Sequence, residues 1–252
     1  MRKSGTESFG PGLFVAGTDT GVGKTLVTAA LARGLRARDI AAVPAKPVHT
    51  GCPTSARQST VGSTPDLDFC LEALPADKGV LSHYERLCLY RFPHPCSPHL
   101  AARLARRNID PARIAEGLRS LAEQGFFVVA EGVGGLMVPL TEYFSVLDLI
   151  ATLRWPVVLV ARPGLGTLNH TLLSLDALRK RLVPVAGVVF NAAVPDATPQ
   201  YIADDNRRTV VEWGRVPVLG WIPHLQPAPP QELAAAAAAG IVWEELLRGL
   251  RP

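Results

Sequence analysis

The chain has 252 residues, a net charge of +4, and 48% hydrophobic against 19% charged residues. That is ample apolar material for a core, and it excludes a disordered chain, a collagen-like repeat and a coiled coil. No apolar run approaches the ~18–20 residues of a membrane helix. Residues 1–11 lack the apolar stretch of a signal peptide and read as a disordered tail. The cysteines at 52, 70, 88 and 96 form no C-x-x-C pair, so neither a zinc site nor a disulfide framework follows, and a reducing cytoplasm is the simplest setting. The positive charge is spread thinly, its densest clusters at 207–208 and 179–181, without the basic stripe that nucleic acid requires.

In chain order, apolar and β-branched runs at 13–16, 41–45, 126–130, 157–161, 185–190 and 218–222 predict strands. They are nearly continuous rather than alternating, as in strands buried on both faces of a parallel sheet. Helical patterns fill 25–38, 98–107, 111–124, 168–181 and 201–214, and a closing helix follows Pro230. Asp110 and Pro111 form a good N-cap and first-turn pair. The alternation predicts an α/β fold, a doubly wound and mainly parallel sheet flanked by helices, in a single domain over 1–252. Residues 50–65, rich in Thr, Ser, Pro and Gly, read as a mobile surface loop.

The first strand runs into Gly17-Thr18-Asp19-Thr20-Gly21-Val22-Gly23-Lys24-Thr25 and then into a helix. Small residues let backbone N–H groups turn onto phosphate oxygens, and the helix N-terminus favours the anion. Lys24 would reach the terminal phosphates and the Thr25 hydroxyl would ligate Mg²⁺. Five residues separate Gly17 from the G-K-T triplet where the usual pattern has four. A fold of this P-loop NTPase type needs a second acidic position on the metal, at the end of another buried strand. Glu131 follows the apolar run 126–130 and precedes a glycine-rich segment, so it supplies one. Lys46 ends the second strand, projecting from the same edge toward the γ-phosphate, with Thr50 able to donate a hydroxyl nearby. His49 could serve the same site, but a surface histidine is the simpler reading.

Together these motifs resemble dethiobiotin synthetases, ATP-dependent enzymes of biotin biosynthesis. The matching stretches are GTDTGVGKT, KPVHTG, SPHLAA, EGVGGLMVPL, GLGTLNH, VVFNA and VPVLGWIP, from Leu13 to about Pro223. The family shares the extra loop residue. The resemblance implies a homodimer that joins CO₂ to 7,8-diaminononanoate, with ATP cleaved to ADP and phosphate, closing the cyclic urea of dethiobiotin. It assigns catalytic roles to Lys46, Lys24 and Thr18, and nucleotide binding to Gly21, Val22, Gly23, Lys24, Thr25 and Asn191, with Pro223 and Gln226 flanking the base. Thr18 and Thr50 would meet the diamine or its carbamate. Gly166, Thr167 and Asn169 would receive the substrate carboxylate at the dimer interface. Mg²⁺ would be held by Thr25, Glu131 and either Asp66 or Asp68, of which Asp66 has the better offset.

Two other classes share parts of this pattern. Partitioning or septum-positioning switch ATPases carry an extra lysine early in the phosphate loop, where this chain has Asp19, an acid that would repel a partner's phosphates. A membrane-binding variant would want a basic amphipathic tail, and residues 231–252 are alanine-rich with Glu232, Glu244 and Glu245. A cobyrinate amidating synthetase would need a further glutamine-hydrolysing domain, for which the chain is too short.

Overall fold

A computed structural model describes residues 10–53, 63–195 and 198–251. Most of the tail expected over 1–11 and most of the loop expected over 50–65 therefore lie outside the described residues. At the near end of that tail, the Pro11 carbonyl already accepts from Val128 N at 3.1 Å.

The elements run β1 (Gly12–Gly17), α1 (Lys24–Arg36), β2 (Ala42–Ala45), β3 (Val48–Thr50), α2 (Pro65–Glu72), α3 (Lys78–Leu81), α4 (Tyr84–Leu87) and β4 (Tyr90–Phe92). There follow α5 (Pro98–Leu104), α6 (Pro111–Glu123), β5 (Phe127–Gly135), α7 (Val146–Leu153), β6 (Val157–Ala161) and α8 (Thr167–Lys180). β7 (Val185–Asn191), α9 (Gln200–Gly214), β8 (Val218–Ile222), α10 (Pro230–Ala239) and α11 (Trp243–Gly249) complete the chain.

Six strands form one parallel sheet in the order β2-β5-β1-β6-β7-β8. β1 shows why its sequence is apolar throughout. Leu13 and Val15 pack with α1, α10 and α11 on one face, through Leu31, Ala237 and Leu246. Phe14 and Ala16 pack with α6, α7 and α8 on the other, through Leu118, Ile150 and Leu175. Period-two side chains thus feed two separate cores, and both faces must be hydrophobic.

Every strand read from sequence is present, most within a residue of its expected bounds. β5 continues to Gly135, so Glu131 lies inside a strand, paired with Val15, rather than just beyond its end. The pattern did not disclose the short parallel pair of β3 and β4 or the helix α7. The latter begins with a reciprocal cap: Asp148 N donates to the Ser145 hydroxyl at 3.2 Å, and Ser145 N donates to Asp148 Oδ2 at 2.8 Å. That Ser-x-x-Asp spacing before an apolar run is the readable sign of a helix start. The single closing helix is two, α10 and α11.

The strand order places the site. β2, β5 and β1 are neighbours, with Ala45 opposite Ala130 and Val15 opposite Glu131. Lys46, Glu131 and the loop after Gly17 therefore reach the same carboxyl edge, where parallel α/β sheets gather their ligands. The small sheet secures the corner after β2. Lys46 N donates to Leu87 O at 2.8 Å, and Tyr90 N to Pro47 O at 3.0 Å.

Candidate active site

The loop between β1 and α1 turns on glycine. Gly23 sits at φ 85°, a left-handed conformation that L side chains avoid, and any side chain there would run into the Asn191 amide. α1 starts without a side-chain cap, which leaves its first N–H groups facing a cavity of about 360 Å³. Lys24 curls back over the loop, its ammonium donating to Asp19 O at 2.9 Å. Burial, and then the charge of Lys46, lower its pKa to about 8.

Three charged groups meet on the cavity floor. Lys46 Nζ lies 2.5 Å from Glu131 Oε1 and 2.7 Å from Asp66 Oδ2, and donates to Gly132 O at 3.2 Å. The Thr25 hydroxyl donates to the same Glu131 oxygen at 3.0 Å. Glu131 is 2% exposed, which is not the setting of a solvated strand-end carboxylate. Lys46 is 4% exposed. Complete burial pushes it toward the neutral form, but Glu131 and Asp66 outweigh that and hold its ammonium above the usual lysine range. Burial raises the Glu131 carboxyl, an effect that Lys46 opposes. Burial would also raise Asp66, yet Lys46 and its other neighbours bring it below the usual range.

Asp66 and Asp68, one turn-start apart on α2, separate cleanly. Asp66 lines the cavity. Asp68 accepts from the Tyr84 hydroxyl at 2.5 Å and from Thr64 N at 3.0 Å, which binds α2 to α4. Thr50 lines the cavity, as do Gly21, Gly23, Lys24 and Thr25. Thr18 does not; its backbone N–H is spent on Val160 O at 3.0 Å, and Thr20 lines the cavity instead. His49 is not a surface residue. It is buried, lines the cavity, and holds Nδ1 3.5 Å from Asp66 Oδ2. Burial lowers its pKa, so the ring is neutral near pH 7. The alternation of β3 gave no warning, because the strand is only three residues long.

A second cavity of about 170 Å³ adjoins the first across Thr20 and Gly21, and includes Val22, Arg162, Gly164 and Asn191. Asn191 Nδ2 donates to Val22 O at 2.9 Å, while its Oδ1 is enclosed without a partner. Pro223 and Gln226 follow β8, are exposed, and line neither cavity. Arg162 joins the loop from β6, 3.2 Å from Asp19 Oδ2. α8 starts at Gly166 with φ 87° and no side-chain cap. Its Thr167 is buried against Thr171, with the hydroxyls 3.3 Å apart, whereas Gly166 and Asn169 are exposed.

The donor set suits a hard divalent cation. A hydroxyl and two carboxylates converge, and Mg²⁺ is usually bound by one or two carboxylates together with substrate phosphates. Among the described residues no three His, Cys, Asp or Glu side chains form a self-sufficient cage, so phosphate oxygens would have to complete the shell. No described helix is long and apolar enough to cross a membrane.

Comparison with known proteins shows the family. A family model described as an AAA domain matches residues 11–231. The ATP-dependent dethiobiotin synthetase BioD of Anaeromyxobacter dehalogenans (strain 2CP-C) is 44% identical over 188 residues, covering 75% of this chain and 79% of its own. The enzyme of the same name from Rhodopseudomonas palustris (strain BisB5) is 40% identical over 239 residues, covering 94% and 97%. Among solved structures, the cell division ATPase MinD of Pyrococcus furiosus superposes with a TM-score of 0.52 at 19% identity, covering 95% of this chain and 99% of that one. That likeness is one of fold alone, whereas the two sequence relatives match over 75% and 94% of this chain. The chain belongs to the ATP-dependent dethiobiotin synthetase family.

Proposed function

We propose that this chain acts as a single domain, a dethiobiotin synthetase in the cytoplasm that uses ATP to carboxylate 7,8-diaminononanoate and close it into a cyclic urea, releasing ADP and phosphate. The observation that carries the reading is Lys46, a buried ammonium set by one strand beside a phosphate loop set by another. A nucleotide-driven switch needs the loop lysine; it has no evident use for a second buried one. Nor does the loop carry the additional lysine of partitioning ATPases, since Asp19 stands there, 3.2 Å from Arg162.

The chemistry asks for positioning rather than a covalent nucleophile. One amine adds to CO₂ and loses a proton, giving a carbamate. A carbamate oxygen attacks the γ-phosphorus and ADP leaves, giving a mixed anhydride. The second amine attacks the anhydride carbonyl, phosphate departs, and the ring closes. Two anions must approach in the phosphoryl transfer. Like charges at ~4 Å repel by roughly 4 kcal/mol at an effective dielectric near 20. Lys46 would stand between them, and Lys24 would hold the phosphates. Thr50, and Thr20 rather than Thr18, are the cavity hydroxyls available to the amines or carbamate.

Thr25, Asp66 and Glu131 would hold Mg²⁺, which when bound supplies charge neutralisation across the phosphate oxygens. The nucleotide runs from the larger cavity across Gly21 to the smaller one, where Asn191 reads the base with its unpartnered Oδ1. The open N-terminus of α8 receives the substrate carboxylate. Leu165, 95% exposed beside it, supports a homodimer that covers this face.

The test is phosphate release from ATP with diamine and bicarbonate, with dethiobiotin measured by mass. Release that depends on the diamine, with one product formed per ATP, is expected. Rapid release without diamine, and no product, would turn the reading toward a switch ATPase.

A further inference from the structure

The chemistry above leaves His49 without a task, although the fold takes trouble to enclose it. Its backbone is fixed between Pro47 and Gly51 by the pairing of β3 with β4, opposite Arg91. Its side chain lines the catalytic cavity, and Nδ1 is sealed from solvent without a hydrogen-bond partner. An enclosed polar atom of this kind calls for an explanation. The nearest candidate partner is Asp66 Oδ2, at 3.5 Å. That oxygen is already engaged, 2.7 Å from Lys46 Nζ. Two nitrogens, from the segments on either side of Pro47, therefore converge on one carboxylate oxygen, and only the ammonium is within bonding reach.

The arrangement becomes purposeful once Lys46 turns toward reacting oxygens. Asp66 then loses its charged donor and keeps only the Thr25 hydroxyl, which Glu131 shares, so a carboxylate 33% exposed on the first turn of a helix is held less firmly. We infer that His49 is a positioning residue for Asp66, its Nδ1–H taking over Oδ2 as Lys46 leaves, so that the carboxylate keeps its aim. Closing the gap by about 0.5 Å gives an ordinary hydrogen bond, and catalytic contacts commonly tighten only when ligand is bound. Facing a carboxylate oxygen, the ring carries its proton on Nδ1. Groups that orient a liganding carboxylate in this way typically change metal affinity or activity by 10–100-fold.

The inference rests on the reading of Asp66 as a metal ligand, so its experiment separates the two. Mn²⁺ is titrated into protein saturated with a non-hydrolysable ATP analogue, diamine and bicarbonate, so that Lys46 faces reacting oxygens, and free Mn²⁺ is followed by its electron paramagnetic resonance signal. Asp66→Asn is expected to weaken Mn²⁺ binding at least tenfold; unchanged affinity there removes Asp66 from the site and this role with it. His49→Leu is expected to weaken binding about tenfold, with affinity for ADP in the absence of metal unchanged. His49→Asn places an amide nitrogen the same number of bonds from the backbone as Nδ1, and is expected to return within about twofold of the parent. His49→Gln carries its amide one bond too far and should behave like leucine. This Asn–Gln pair remains decisive if the leucine variant does not fold. Parent-like binding in His49→Leu, or equal affinities in His49→Asn and His49→Gln, would overturn the inference while leaving that of Asp66 intact.

Discussion

The two ends of the proposed substrate path are built on opposite plans. At Lys46, charge is closed in: an ammonium, two carboxylates and a hydroxyl fix one another within 2.5–3.0 Å, all supplied by one chain. At Gly166, only Thr167 is closed in. The helix start is bare, Asn169 is exposed, and Leu165 stands in solvent. The difference shows which part of the work this chain completes alone. Phosphoryl chemistry needs preorganised charge in a low-dielectric setting, and the protein assembles it in advance. On the proposed reading, recognition of the substrate's far end is left to a surface that a second copy would finish.

The sharpest way to break the closed end is Glu131→Gln, which keeps the shape and removes the buried charge. Turnover at limiting Mg²⁺ is expected to fall at least 100-fold while nucleotide affinity stays within about fivefold, because catalytic preorganisation is lost but the phosphate loop is not. Unchanged turnover would exclude Glu131 from the chemistry. A paired test follows on α2. Asp66→Asn is expected to lower turnover about 10–100-fold. Asp68→Asn disturbs only Tyr84 and Thr64, costing about 1 kcal/mol in thermal unfolding and leaving turnover within about threefold. Equal kinetic losses would mean that the two acids do not divide as their contacts indicate.

The open end is sharpened by Leu165→Asp. Loss of an apolar contact at a shared face should shift sedimentation toward monomer and raise KM for the diamine about tenfold, with ADP affinity unchanged. A variant that stays dimeric with parent KM would place the interface elsewhere. The smallest effect lies away from both ends. Ser145→Ala removes the cap of α7 and is expected to cost about 1 kcal/mol of stability. Asp148, its reciprocal partner, has its pKa lowered: burial opposes, but Ser145 and Arg181 prevail. A depressed carboxyl favours folding above its unfolded pKa near 4 and loses that contribution as pH falls through the folded value. Thermal unfolding of Asp148→Asn should therefore trail the parent at pH 7 and converge with it in strong acid.

Much of this molecule was legible in its sequence, for identifiable reasons. Strands buried on both faces write themselves as unbroken apolar runs, and the glycine spacing of the phosphate loop is a backbone requirement with few substitutes. Lys46 and Glu131 were visible because each directly follows such a run. Three-dimensional neighbours separated by short or irregular chain were not. β3 is too brief for a period, so His49 read as a surface residue. Thr18 and Thr20 are equivalent in composition and differ only in which way the loop turns them. Offset alone favours Asp66 over Asp68, and the contact that Tyr84 makes with Asp68 from another helix leaves no sign in the sequence. Pro223 and Gln226 rested on resemblance alone, and the second cavity lies instead against Asn191, Arg162 and Gly164.

The central claim is that Lys46 serves the reacting oxygens rather than the nucleotide. It is tested by single-turnover phosphate release from Lys46→Ala with saturating diamine and bicarbonate, beside a nucleotide titration of the same variant. Loss of ~3–4 kcal/mol of transition-state stabilisation is a rate loss of several hundredfold. The account predicts at least a 100-fold slower release with nucleotide affinity within a few-fold, and little rescue by arginine, whose planar fork cannot act as a compact point charge. Near-normal release in Lys46→Ala would contradict it, leaving the buried ammonium as a structural partner of Glu131 and nothing more.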